Sequence, residues 1–165
     1  MHIVSVRRLR PKDWRLFRDL RLASLAEAPH AFCSTLAEEQ EYDEARWRSR
    51  LGPGGPIRAV AFVGDEPAGI TGAWLSDDGR RELHLLGMWV APRWRRHGVG
   101  DALVREVLTV AHEQQPSAVM LWVVSDNQAA RRLYERHGFQ AVQEYQPHGT
   151  DPTVREQRMR RGPTA

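Results

Sequence analysis

Leu85-Leu86-Gly87-Met88-Trp89-Val90-Ala91-Pro92-Arg93-Trp94-Arg95-Arg96-His97-Gly98-Val99-Gly100 reads as the end of an apolar strand, a proline-marked turn and the first turn of a helix. Gly98 and Gly100 allow the backbone to approach a ligand closely, and the first turn of a helix leaves several N–H groups without intrahelical partners. Those donors, with the positive helix end behind them, suit a phosphate or pyrophosphate, and Arg93, Arg95 and Arg96 add neutralising charge at the same place. A strand-to-helix turn that needs glycine only for its geometry fits the spacing equally well. The chain has neither the Lys-Ser or Lys-Thr pair of a P-loop nor a G-x-G-x-x-G opening a strand-helix-strand unit, which argues against ATP and NAD.

Working outward, Ile3 to Arg8 alternates apolar and polar residues as a first strand does. Pro11-Lys12-Asp13 then opens a helix with Trp14, Phe17, Leu20, Leu22 and Leu25 available for a buried face. Ala28-Pro29-His30 breaks it, and a second helical stretch carrying Glu38, Glu39, Glu41, Asp43, Glu44 and Trp47 runs to Gly52-Pro53-Gly54-Gly55-Pro56. Three strands follow at Ile57 to Val63, Ala68 to Leu75 and Arg81 to Val90, separated by turns rich in Gly, Asp and Pro. Beyond the quoted segment a helix runs from about Gly98 to Glu113. Ala118 to Val124 is a nearly all-apolar strand of the kind covered on both faces. A last helix starts near Asp126 or Asn127, presents Ala130, Leu133, Tyr134 and His137 on one side and stops at Gly138 in an αL cap position. Phe139 to Glu144 and Thr153 to Met159 are closing strands.

At 165 residues, 41% hydrophobic and 27% charged, the chain has the composition of one soluble globular domain, expected to span residues 1–165. The only cysteine is Cys33, which rules out an internal disulfide. The longest nearly uncharged apolar stretch, Leu83 to Pro92, is half of the roughly 20 residues a membrane helix needs. Charge arrives at Arg7 and Arg8 before an apolar leader can form, so the expected compartment is the cytoplasm, without a membrane. Of the 24 basic residues only Lys12 is lysine. Arginine forks grip phosphates and carboxylates, but acidic residues are scattered among them, so charge alone names no partner.

Arg95-Arg96-His97-Gly98-Val99-Gly100 resembles the R/Q-x-x-G-x-G/A acyl-CoA loop of the GNAT N-acetyltransferase superfamily. Met88-Trp89-Val90-Ala91-Pro92 is similar to the end of that family's fourth strand. Asn127-Gln128-Ala129-Ala130-Arg131-Arg132-Leu133-Tyr134-Glu135-Arg136-His137-Gly138-Phe139 resembles its N-x-x-A-x-x-L-Y-x-x-x-G-F segment. The likeness covers nearly the whole chain, weakest in the N-terminal helices and after Glu144. It implies a mixed α/β (α+β) fold: a twisted, mostly antiparallel sheet of six or seven strands, the fourth and fifth splayed, flanked by about four helices. The implied order is strand, two helices, three strands, helix, strand, helix, two strands.

The resemblance further implies acetyl-CoA as acyl-donor co-substrate, no metal, and an amine acceptor that is a small molecule or peptide, attacking directly in a ternary complex. Met88, Trp89 and Val90 would line the pantetheine arm, with main-chain contacts from Met88 and Val90. The amides of Arg95, Arg96, His97, Gly98, Val99 and Gly100 would hold the pyrophosphate. Asn127 would lie near the co-substrate, or act simply as a helix N-cap. Tyr134 matches the position of a general acid that protonates the departing thiolate; it can also be a packed core tyrosine.

An amine acceptor must lose a proton to attack, so a base is needed. Glu82 and His84, two apart on a strand and so on one face, are the candidates, acting directly or through water. Phe32, Ser34 and Glu38, with Thr35 and Glu39, fall near the expected acceptor wall, where carboxylates would attract a cationic amine. Tyr145, His148 and Asp151 could cover the site from the last loop, and Cys33 reads as wall or core. A non-catalytic acyl-CoA sensor and an arginine-rich nucleic-acid-binding domain stand as alternatives; the favoured reading expects no nucleic acid. A homodimer is compatible with the family.

Overall fold

The computed structural model describes residues 2–163; Met1, Thr164 and Ala165 lie outside the described residues. The first strand, β1 (Val4–Arg8), leads into α1 (Trp14–Glu27), whose buried stripe is Trp14, Phe17, Leu20 and Leu25. Helix α1 stops before Pro29, which disfavours helical backbone at Ala28. The single second helix expected from sequence is two: α2 (Leu36–Gln40) and α3 (Glu44–Ser49). Each has its own N-cap. Thr35 Oγ1 accepts from Glu38 N at 3.2 Å and Asp43 Oδ1 from Arg46 N at 2.8 Å. Asp43 restarts the chain because its carboxylate satisfies an otherwise unpaired amide.

Three antiparallel strands follow: β2 (Ile57–Val63), β3 (Glu66–Leu75) and β4 (Glu82–Val90). After α4 (Val99–Gln114) come β5 (Ala118–Val124), α5 (Gln128–Arg136), β6 (Gln140–Pro147) and β7 (Arg155–Arg161). Helix α5 runs out at Gly138, which takes φ +86°, the left-handed conformation a helix terminator needs. The seven strands form one sheet in the order β1-β2-β3-β4-β5-β7-β6, antiparallel except between β4 and β5. Helices α4 and α5 cover one face through Val104, Val107, Leu121, Val123, Tyr134 and Phe139. On the other face Phe17, Leu25 and Trp47 pack over Val60, Ile70 and Trp89.

The sheet opens where its parallel pair should continue. Strands β4 and β5 pair only through Glu82, Leu83 and His84 against Ala118, Val119 and Met120. An irregularity in β4 lies beside this end. Ile70 faces Trp89 while Gly72 faces Leu86, so two steps along β3 match three along β4. This bulge contains Gly87 at φ +62°, and a bulge bends its strand at the point where the β4–β5 pairing has already ended. The expected splay between the fourth and fifth strands therefore falls beside a glycine in the quoted segment.

Candidate active site

The loop that leads from β4 into α4 runs from Ala91 to Gly98. Arg96 at φ +64° and Gly98 at φ +82° adopt left-handed backbone on either side of His97. Helix α4 has no side-chain cap, and its first described backbone bond is Ala102 N to Gly98 O at 3.0 Å. The amides from Gly98 to Asp101 precede that bond, an arrangement suited to an anion. A Cβ on Gly100 would lie 3.1 Å from Leu133 Cδ2, so this glycine lets α5 approach α4.

The three loop arginines are not equivalent. Arg93 pairs with Glu66. Arg95 donates to Glu27 Oε2 at 2.8 Å and, through Nε, to the Val90 carbonyl at 3.0 Å. Arg96 is exposed, and among the described residues no carboxylate pairs with it. His97 Nδ1 donates to the Arg95 carbonyl at 2.8 Å, which fixes the turn. Val99 is buried under the sheet, Met88 is half-buried, and buried Trp89 donates from Nε1 to Glu27 Oε2 at 2.8 Å.

Asn127 caps α5: its Oδ1 accepts from Ala130 N at 3.1 Å. Tyr134, two turns on, is buried and meets Phe139 edge-on at a ring separation of 5.9 Å. Burial pushes the phenol pKa above its ordinary value, so Tyr134 keeps its proton.

A cleft of about 270 Å³ lies in the mouth of the splay, bordered by Leu85, Leu86 and Gly87 of β4 and Met120, Leu121 and Trp122 of β5. His84 lines it. Burial holds the imidazole below its usual 6.5, against the opposing pull of Glu82 and Asp78, so His84 is neutral at neutral pH. Its ring meets Trp74 edge-on at 5.5 Å. Glu82 sits at the paired end of β4, where Arg158 Nη2 donates to it at 2.5 Å; Arg158 also holds Glu144 at 2.9 Å. Of the two base candidates, His84 borders the cleft and Glu82 is engaged in this ion pair.

Phe32 is buried beneath the Arg21 guanidinium, 4.8 Å from its ring, and also borders the cleft. Ser34 and Glu38 lie farther out, in an adjoining cleft of about 430 Å³, where Tyr42 Oη donates to Glu38 at 3.1 Å. Cys33 borders both clefts and is exposed. The loop after β6 closes onto it: a Cβ on Gly149 would be 3.1 Å from Cys33 Cβ.

Four residues not singled out by the sequence also belong here. Arg21 donates from Nη2 to Glu39 Oε1 at 2.9 Å, and Arg50 donates to Glu39 Oε2 at 2.9 Å. Burial works to raise the Glu39 pKa, but the two guanidiniums outweigh it and hold the carboxylate below its ordinary range. Arg58 and Glu156, both buried, line the inner cleft. The available signal for Arg58 was a single charge inside the apolar run Ile57–Val63. Among the described residues no group of three metal-ligating side chains occurs, and no helix is long and apolar enough to cross a membrane.

The comparisons with known proteins say to which class this mixed sheet with its early-ending parallel pair and uncapped α4 belongs. Residues 17–139 match the acetyltransferase (GNAT) family, and the chain belongs to that family as an N-acetyltransferase. It is 25% identical over 143 residues to the L-amino acid N-acetyltransferase AaaT of Escherichia coli, covering 85% of each chain. It is 34% identical over 71 residues to the mycothiol acetyltransferase of Corynebacterium diphtheriae, covering 43% of this chain and 23% of that one. Among solved structures, a GNAT acetyltransferase of Streptococcus pneumoniae superposes with a TM-score of 0.76 at 22% identity, over 97% of this chain and 99% of that one. The yncA protein of Salmonella typhimurium, solved with its cofactor acetyl-CoA, gives 0.74 at 18% identity, over 96% and 93%.

Proposed function

We propose that the chain, as a single domain over residues 1–165, transfers the acetyl group of acetyl-CoA to a primary amine of a small molecule or peptide, by direct attack in a ternary complex. The observation that carries this reading is the early end of the β4–β5 pairing beside the Gly87 bulge, with β4 leading into the uncapped start of α4. The open edges of Met88 and Val90 suit an extended pantetheine arm, and the amides of Arg95 to Gly100, with the free charge of Arg96, suit a pyrophosphate. Acetyl-CoA is a co-substrate here and supplies an activated thioester; no metal is invoked. The solved relative with acetyl-CoA supports the same donor.

His84, held neutral by burial, takes the proton the acceptor ammonium must lose, directly or through water. The amine nitrogen then bonds to the acetyl carbon as the carbon–sulfur bond breaks, the electron pair leaves on sulfur, and the nitrogen sheds its second proton to solvent. Tyr134 gives its phenolic proton to that thiolate and recovers one from solvent. Asn127 fixes the start of the helix that carries Tyr134. A cytoplasmic location and activity without nucleic acid complete the reading. Outside the loop, arginines that include Arg7, Arg8, Arg18, Arg48, Arg136 and Arg158 are paired with carboxylates.

Thermal shift with acetyl-CoA, CoA, NAD and duplex DNA tests the donor side. Stabilisation by the first two alone is expected; stabilisation by DNA alone would reverse the assignment. CoA release against an amine panel then separates an enzyme from a non-catalytic sensor.

A further inference from the structure

The donor chemistry leaves Arg58 unused, yet the fold makes a space for it. Arg58 is in register with Gly72 on β3, and Gly72 with Leu86 on β4. A Cβ on Gly72 would lie 2.7 Å from Arg58 Nη1, and one on Gly87 would lie 3.1 Å from it. Its guanidinium thus lies across a side-chain-free patch and reaches the β4 bulge. The residue is only 9% exposed and borders the cleft. Phe17 packs against it at 5.4 Å, and its buried Nε has no hydrogen-bond partner.

No carboxylate among the described residues forms an ion pair with Arg58. Glu39, the acidic group of this cluster, is already shared by Arg21 and Arg50. Three guanidiniums therefore meet one carboxylate. Burial, then the like charges of Arg50 and Arg21, push Arg58 down to about 9, still protonated at neutral pH. A buried cation without a partner is costly, and an anionic ligand relieves that cost.

Building on the acetyltransferase reading, we infer that the acceptor is a small amine bearing a carboxylate, as an amino acid does, and that Arg58 binds this carboxylate. A guanidinium fork suits a two-oxygen anion. The other charged or titratable side chains of the inner cleft are Arg21, Cys33, His84 and Glu156, so the same space offers a base and a carboxylate to the ammonium end. An amine lacking the carboxylate leaves Arg58 unpartnered, which is the basis of discrimination.

Matched ligands test this: phenylalanine, phenylalaninamide and phenethylamine, with the leucine series leucine, leucinamide and isoamylamine. Binding to the CoA-loaded and CoA-free protein is measured by calorimetry, and kcat/KM by CoA release. At least one of the two amino acids is expected to bind and react at least about 10-fold better than its amide and amine. Arg58→Gln should erase the preference through KM while acetyl-CoA affinity stays within about 2-fold, and Arg58→Lys should restore part of it. Amides or amines equal to the amino acids, no binding of either amino acid, or a preference that survives Arg58→Gln would overturn the inference. The matching aminophosphonates, if preferred over the amino acids, would overturn the carboxylate assignment in favour of a phosphoryl group. The wild-type series decides even if Arg58→Gln does not fold. Amino-acid binding through Arg58 without acetyl-CoA binding would instead refute the acetyltransferase reading and leave the anion site standing.

Discussion

Glu27 Oε2 lies 2.8 Å from the Arg95 guanidinium and joins the last turn of α1 to the loop before α4. The same oxygen accepts from Trp89 Nε1, so one carboxylate links α1, the bulged strand and the loop before α4. Hydrogen bonding from Trp89, with the charge of Arg95, holds Glu27 below the ordinary carboxylate range against the opposing effect of burial. Glu27→Ala removes the restraint on Arg95. Acetyl-CoA is then expected to bind roughly 3- to 10-fold more weakly, because the loop must be ordered on binding; calorimetry checks this, and unchanged affinity would show that the loop holds its shape without Glu27.

Glu39 balances Arg21 and Arg50 in the interior, and Glu39→Gln leaves buried guanidiniums without a counter-charge. The expected loss is about 3–5 kcal/mol, or roughly 10 °C in Tm for a chain of this size. The sign with pH follows from the depressed carboxylate: wild-type stability from Glu39 is present above its ordinary 4.5 and disappears as pH falls through the lower folded value. Stability measured by denaturation should fall more steeply with falling pH across that range for wild type than for Glu39→Gln.

For His84 the pH profile separates the two base candidates. Because burial lowers the imidazole, the acid limb of kcat/KM should lie below pH 6.5, with activity falling as His84 gains a proton. His84→Gln should remove that limb together with about 10²-fold or more of the rate. Glu82→Gln should keep the limb and instead lower Tm, since it breaks the pair with Arg158. A limb that vanishes only in the Glu82 variant would exchange their roles.

Tyr134→Phe keeps the edge-on contact with Phe139 and removes only the hydroxyl. The expected drop in kcat is on the order of 10²-fold with little change in acetyl-CoA affinity. Undiminished turnover would assign Tyr134 to the core alone.

How much of this the sequence carries depends on the range of the interactions concerned. The strand-turn-helix at Leu85–Gly100 is legible because local alternation, Pro92 and the glycines specify it within one window. The cap role of Asn127 is local for the same reason. Glu38 and Glu39 show the limit. Sequence placed both Glu38 and Glu39 near the acceptor wall without telling them apart, whereas in the fold Glu38 is exposed and bonded to Tyr42 and Glu39 turns inward to two arginines. Helix α2 spans only five residues, too few to reveal its buried face from periodicity. Arg58 is harder still, since its space comes from Gly72 and Gly87 on other strands and its neighbours from α1 and the segment after α3.

The most direct test of the central claim follows CoA release and acetylated product by mass spectrometry, using purified protein, acetyl-CoA and the amine panel. The account predicts stoichiometric release of CoA and appearance of an N-acetylated amine, both abolished without acceptor and strongly reduced in Tyr134→Phe and His84→Gln. Tight acetyl-CoA binding with no acetylated product from any amine would contradict it.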